Sequence, residues 1–451
     1  MQKATSKIKQ YEALGSHLYY NEVTGDFSLE QERLLLVEES AVPSVSEILP
    51  YIKPVSYTFC IEVSNACNLA CDYCFNDGKD GKVLSIRQAT QQLDDLFKAF
   101  PNGEKYFVDL SGKGEPLLNI KTILEVAEYC HKKSDSIHRE VLPMLVCNGT
   151  LLSSHFVELL QKHGILFGVS LDGSKEVHDR HRKTKDGQAT YDLILQKVKA
   201  IPHRDYVGCA GTITNDVFDL TDAVTRLSSI FKTISFRPAR GANFGLTHIG
   251  SRKWIVQYDK LAQTLLHEAM AGNLDLCYCL MNGDDYFGRF LCRAVLKQKT
   301  INRCDGGVTR FAYDDTDAIF PCSACVVLPN LAIKQDLSVH SHHELIRQGE
   351  SCQKCIFKRH CGGECKIEEE RLGHVNSATC SLTIRLIQLA YAFALLIEKS
   401  RPDEFSALVR FVKEKQARYR IDPYLKEFID SNPSLSFTQA KLLFDQLNRR
   451  Y

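Results

Sequence analysis

The sequence carries almost no net charge: 56 Lys and Arg stand against 55 Asp and Glu over 451 residues. Without a cationic excess, neither a nucleic-acid polyanion nor an anionic membrane surface is expected as the main partner. The opening MQKATSKIKQYEALG has no apolar h-region of the kind a secretory leader needs. The most apolar late stretch, 386–397, is too short to span a bilayer and reads as a core helix. Low-complexity tracts are missing, and so are internal repeats beyond a strand–helix alternation. These absences predict a cytosolic globular protein with room for two or three domains, and 44% hydrophobic with 25% charged residues is ordinary for that class.

What the chain has in excess is cysteine, eighteen in all. Cys67, Cys71 and Cys74 stand at C-x3-C-x2-C spacing, and Cys292, Cys304, Cys322, Cys325, Cys352, Cys355, Cys361, Cys365 and Cys380 fill a later field. In a large chain without a secretory leader, metal ligation is a better reading than a disulfide framework. Cys60, Cys130, Cys147, Cys209, Cys277 and Cys279 are scattered and read as small buried hydrophobes.

From 57 to about 240 the chain repeats apolar strand, turn and amphipathic helix. Strands are expected at 57–63, 105–111, 143–147, 165–171, 206–214 and 233–239, and helices near 86–100, 120–132 and after 154. Six such units predict an α/β domain with a parallel sheet, doubly wound or curled into an open barrel. The chemistry-bearing residues all follow strands, at the edge where parallel sheets bind ligands. Residues 18–27 suggest a short hairpin around a Thr-Gly turn, and 254–293 and 381–451 look helical. His340, His342 and His343 read as a solvated loop rather than a metal site, and 413–420 as an exposed helical face.

Four thiolates close a metal site, whereas three leave one position open. A 4Fe–4S cube on the first triplet would keep one iron free for a substrate; a three-Cys zinc site or plain structural cysteines are the rivals. The loop follows the first strand and ends in Phe75, and Gly114, Glu115 and Pro116 follow the second. These residues resemble the radical S-adenosylmethionine (SAM) superfamily. The resemblance implies a partial (β/α)6 TIM barrel, a SAM-binding 4Fe–4S cluster on Cys67, Cys71 and Cys74, and a 5′-deoxyadenosyl radical that abstracts hydrogen. It also implies that Gly114, Glu115 and Pro116 receive the SAM amino group, that Asn148 with Gly149 forms the family's TNG-like turn, and that Ser170 and Arg182, within SLDGSKEVHDRHR, lie near the SAM carboxylate. Lys113 departs from the family's GGEP by replacing its first Gly, where a left-handed backbone would be resisted. Taken alone, Gly114-Glu115-Pro116 is also an ordinary turn before a helix.

The later field, Cys352-x2-Cys355-x5-Cys361-x3-Cys365 with Cys304, Cys322 and Cys380, could hold zinc by its C-x2-C knuckle. As a whole it resembles the SPASM extension of peptide-modifying radical SAM enzymes, which holds two auxiliary 4Fe–4S clusters. The resemblance implies Cys352, Cys355, Cys361 and Cys380 at one cluster, and Cys304, Cys322 and Cys365 at the other, with Cys292 its fourth ligand, Cys325 the rival, and an iron open to a substrate sulfur if neither thiol ligates.

The expected organisation is therefore an N-terminal appendage (1–54, a possible partial leader-recognition hairpin), a radical SAM core (55–245), a helical bridge (246–303), a SPASM domain (304–385) and a helical tail (386–451). The layout is most similar to the SCIFF and ranthipeptide maturases. That implies thioether formation in a Cys-containing precursor peptide, three 4Fe–4S clusters, SAM, and an electron donor such as flavodoxin or ferredoxin. Formylglycine formation as in anaerobic sulfatase maturation, carbon–carbon cross-linking, or epimerisation would keep the class. A non-enzymatic zinc-binding interaction protein would not.

Overall fold

The computed structural model describes residues 7–35, 55–76, 81–202, 204–240, 244–283, 285–300, 304–333, 350–420 and 423–448. The loop with His340, His342 and His343 lies outside the described residues, as does most of the connection up to Pro54.

Six strands, β4 (Ser56–Ile61), β5 (Lys105–Asp109), β6 (Glu140–Cys147), β7 (Leu166–Ser170), β8 (Gly208–Ile213) and β9 (Thr233–Pro238), lie side by side in chain order and pair in parallel. A doubly wound sheet reverses its strand order partway. From β4 to β9 the order does not reverse, which matches the open-barrel alternative. Along β6 burial alternates residue by residue: Val141, Leu145 and Cys147 face a continuous core with Leu93, Leu96, Ile123 and Val126 of the covering helices, and Leu142, Met144 and Val146 face a half-open interior. The helices begin where a side chain can satisfy a free backbone N–H: Ser85, Ser153, Ser174 and Asp219 each accept from the residue three positions on.

Two strands were not legible beforehand. β10 (Arg310–Tyr313) pairs in parallel with β4, and β11 (Ile319–Phe320) pairs antiparallel with β10, so among the described residues the sheet has eight strands in the order β11-β10-β4-β5-β6-β7-β8-β9. The later cysteine field is thereby built onto the barrel edge.

The N-terminal segment is larger than the expected hairpin. β1 (Ile8–Ala13), β2 (Ser16–Asn21) and β3 (Phe27–Ser28) form an antiparallel sheet, and the Thr24-Gly25 turn joins its second and third strands. The apolar late stretch also extends further than expected: the helix Ser377–Ser400 has 24 residues, long and apolar enough by composition to cross a membrane. Length therefore does not mark it as a core helix. Its packing does, since Leu386, Ile387, Ala390, Phe393 and Ile397 are buried in the main core. The six scattered cysteines are all buried.

Candidate functional site

The loop that carries Cys67, Cys71 and Cys74 follows β4 and is held from three neighbouring strand ends. From the β5 side, the Glu115 amide donates to the Ala66 carbonyl at 2.7 Å. From the β6 side, the Asn148 amide group donates to Asn68 Oδ1 at 2.7 Å, while Asn68 donates to the Thr150 hydroxyl at 2.8 Å. From the β7 side, the Ala70 and Asp72 amides donate to the carbonyls of Lys183 and His181. Arg371, from the later cysteine region, donates to the Phe75 carbonyl at 2.9 Å. All three thiols are half-exposed and outside any disulfide.

The Gly-Lys-Gly-Glu-Pro turn fits against this loop without room to spare. A Cβ on Gly114 would stand 2.2 Å from the Ala66 carbonyl oxygen, so only glycine allows the approach. The left-handed residue is Gly112, at φ 59°, and Lys113 is not left-handed, so its replacement of a glycine brings no backbone strain. Glu115 is 1% exposed, and its two carboxylate oxygens accept from the Leu117 amide at 3.1 Å and the Asn148 amide at 2.6 Å. Burial pushes its carboxyl up to about 7, against the pull of those two amides. Pro116 opens the short 3-10 turn Pro116–Asn119.

Arg182 is buried and engaged. Its Nε donates to Asp172 Oδ2 at 3.1 Å, a terminal nitrogen reaches the Thr212 hydroxyl, and the guanidinium lies 5.2 Å from the centre of the Tyr73 ring. Tyr73, inside the cysteine loop, donates to the same Asp172 oxygen at 2.6 Å. Asp172 is fully buried. Burial alone would raise its carboxyl, but Arg182, His178, Tyr73 and the Thr212 amide outweigh that and hold it below the usual range. His178 receives the Asp172 amide on Nδ1, which leaves Nε2 to donate to Thr190, and burial pushes it down to about 4. Ser170 is half-buried at the end of β7. Asp172, Tyr73 and Asn68 are site residues the sequence reading did not single out; a DG pair after a strand was the one available signal.

The barrel interior next to the loop is polar. Glu62, one residue past β4, is 5% exposed, and among the described residues no donor meets either carboxylate oxygen in hydrogen-bond geometry. Burial pushes it up to about 8, with Lys113 offsetting part of the cost. Beside it, Arg310 of β10 reaches Asp109 at 3.1 Å and the Cys60 sulfur at 3.4 Å.

In the later field, Cys352, Cys355 and Cys361 lie close enough for their charges to interact, and the Cys380 thiol approaches Glu364 at 3.7 Å. Cys304 is likewise in electrostatic reach of Cys322 and Cys365. Cys292, on the helix Gly288–Val295, directs its thiol to the Met281 carbonyl at 3.7 Å. Among the described residues no three Cys, His, Asp or Glu side chains are gathered tightly enough for a single ion. A tetrahedral zinc needs sulfurs about 2.3 Å from one centre. The donor sets, thiols in threes and fours, are of the ligand type that holds iron–sulfur clusters.

The model of the radical SAM superfamily matches residues 61–215. Those residues are a radical SAM domain. The cysteine-type anaerobic sulfatase-maturating enzyme of Clostridium perfringens (strain 13 / Type A) is 23% identical over 326 residues, 67% of this chain and 86% of that protein. A serine-type anaerobic sulfatase-maturating enzyme of Bacteroides thetaiotaomicron is 27% identical over 176 residues, 37% of this chain and 41% of its own. Native anSMEcpe with bound AdoMet has the same fold at TM-score 0.59 and 20% identity, covering 76% of this chain and 99% of that one. The form with an added Cp18Cys peptide gives 0.60. The radical SAM domain thus sits in a chain with homology to the sulfatase maturases, and its parallel sheet matches theirs.

Proposed function

We propose that this chain is a radical SAM enzyme that acts on a Cys-containing peptide and joins a Cys sulfur to a carbon of another residue. The observation that carries the reading is the placement of three half-exposed thiols at the C-terminal edge of the barrel, with a second cysteine field anchored to the same sheet through the β10–β4 pairing. A peptide substrate is supported by the sulfatase-maturating relatives and by anSMEcpe with its bound Cys peptide.

Cys67, Cys71 and Cys74 would hold a 4Fe–4S cluster. Together with SAM, that group would supply a 5′-deoxyadenosyl radical by one-electron cleavage of the sulfonium. Gly114 brings its backbone against the cysteine loop, and Arg182, fixed by Asp172, would pair with the SAM carboxylate together with Ser170. Forming a thioether removes a hydrogen atom from the peptide carbon and a proton from the thiol, and leaves one electron. Clusters on the later cysteines would accept that electron, since iron–sulfur potentials span a range wide enough for it. Flavodoxin or ferredoxin would supply the starting electron.

Formylglycine formation is the second reading, favoured by the relatives' activity. Anoxically reconstituted protein with dithionite, SAM and a Cys peptide separates the two by mass spectrometry. A thioether loses two hydrogens and blocks alkylation of the Cys; formylglycine loses the sulfur and gains a hydrazide-reactive aldehyde. Replacing Cys67, Cys71 or Cys74 by Ala is expected to abolish deoxyadenosine release, whereas Cys355→Ala or Cys380→Ala still releases it and leaves the peptide unlinked. Release by the triple-alanine variant sinks the whole reading.

A further inference from the structure

We infer that Cys325, not Cys292, is the fourth protein ligand of the cluster that Cys304, Cys322 and Cys365 would hold, so that no iron of that cluster is left for a substrate sulfur. The inference rests on the radical SAM reading above and concerns the ligation of one cluster only.

Cys322 and Cys325 stand at C-x2-C spacing on the 3-10 turn Ser323–Val327, with the Cys325 amide donating to the Cys322 carbonyl at 2.9 Å. Their sulfurs are 3.5 Å apart. The same spacing places two ligands on one cube in ferredoxin-type runs. Cys325 is 3% exposed and belongs to a small apolar cluster with Cys60, Phe320 and Ile367, against which Cys322 and Cys365 also pack. Cys304 closes the group: Gly307 donates to the Pro321 carbonyl at 3.1 Å, and a Cβ on Gly306 would touch both that carbonyl and the Cys304 sulfur. Cys325 therefore shares one small core with two of the three expected ligands and lies across a tight loop from the third. Cys292 sits in the main core instead, on another helix.

The chemical consequence separates two routes to a thioether. An open iron would bind the peptide thiolate directly and hold it for attack. A cluster closed by Cys325 can only take up the electron, and the thiol proton must then leave to a side chain. Arg310, the cation beside Cys60 and Asp109, is in electrostatic reach of Cys322 and would favour the reduced, more negative state of such a cluster.

The test compares the whole wild-type chain with Cys325→Ser and Cys292→Ser after anoxic reconstitution, by iron and sulfide analysis and by EPR of the dithionite-reduced protein with and without β-mercaptoethanol. All samples carry excess S-adenosylhomocysteine, whose amino and carboxylate groups cap the open iron of the first cluster and which has no sulfonium to cleave. The expected result is a change confined to Cys325→Ser. Its auxiliary signal either shifts on adding the thiol, or is lost together with about a third of the iron if the cluster falls out. Wild type and Cys292→Ser keep one thiol-independent spectrum. A thiol-dependent shift in wild type, a change in Cys292→Ser, or no change in Cys325→Ser overturns the assignment. Protein that takes up no iron overturns this inference and the reading beneath it, and absence of deoxyadenosine release identifies a failure of that reading alone.

Discussion

Gly114 shows how closely one residue can be constrained without touching any ligand. Alanine there would place a methyl 2.2 Å from the Ala66 carbonyl and push the cysteine loop outward. Gly114→Ala is therefore expected to lower bound iron from about twelve per chain to about eight, by loss of one of three cubes, while the later field stays loaded. Iron analysis against wild type checks it, and a full complement would show that the loop has slack. Arg182→Met leaves the fully buried Asp172 without its cation and is expected to cost about 3–5 kcal/mol in chemical unfolding, whereas Arg182→Met with Asp172→Asn costs less than the sum of its parts. The cysteine triplet and the Gly-Glu-Pro turn were legible in the sequence because each is local, a spacing or a turn that one can read in a row. The Tyr73–Asp172–Arg182 group was not, because Tyr73 meets its partner 99 residues away. Nor could the rivalry between Cys292 and Cys325 be settled from spacing, since it depends on which core each thiol enters.

At the scale of elements, period-two apolar runs followed by turn residues and a capped amphipathic helix made β4 to β9 readable. β10 and β11 escaped because four and two residues are too few to show a period. β1 escaped for another reason. Its turn is Leu14-Gly15, both with positive φ, and leucine rarely adopts that conformation, so the usual Asn-Gly or Asp-Gly signal is missing. The N-terminal sheet docks on the later cysteine region: the Tyr20 hydroxyl donates to the Ile356 carbonyl at 2.6 Å and its ring stacks on Phe357, while Phe27 stacks on Tyr391. Tyr20→Phe is expected to lose about 1 kcal/mol, and Tyr20→Ala about 3–5 kcal/mol, in unfolding of the reconstituted protein. A silent alanine would mean that the sheet is only loosely attached.

For the whole molecule, four buried titrating groups set opposing trends. His178 and His360 are pushed down to about 4 by burial, so between pH 6.5 and 4 the unfolded chain binds more protons and stability is lost as pH falls. Glu62 and Glu115, raised to about 8 and about 7, act the other way: above pH 4.5 the folded state holds protons that the unfolded state has released, so stability is lost as pH rises through those values. The two pairs nearly cancel from pH 4.5 to 6.5. From pH 6.5 to 8 the two carboxyls are expected to lower stability by about 2–3 kcal/mol in a Cys322→Ser background, which removes the thiol that Cys325 holds well below its ordinary value and that acts the other way in this window. Unfolding curves at pH 6.5 and 8 measure this for the chain without metal, and Glu62→Gln should remove most of the difference.

His360 donates to the Gly25 carbonyl and accepts from Tyr391, so residues 25, 360 and 391 form a single clasp. On the ribosome the first strands emerge more than three hundred residues before the partners that cover them. Until Tyr391 has been made, the aromatic underside of that sheet lacks the surface it docks on. Translation order thus makes the partners of residues 8–28 available only after the strands β4 to β11 of the barrel sheet have been synthesised.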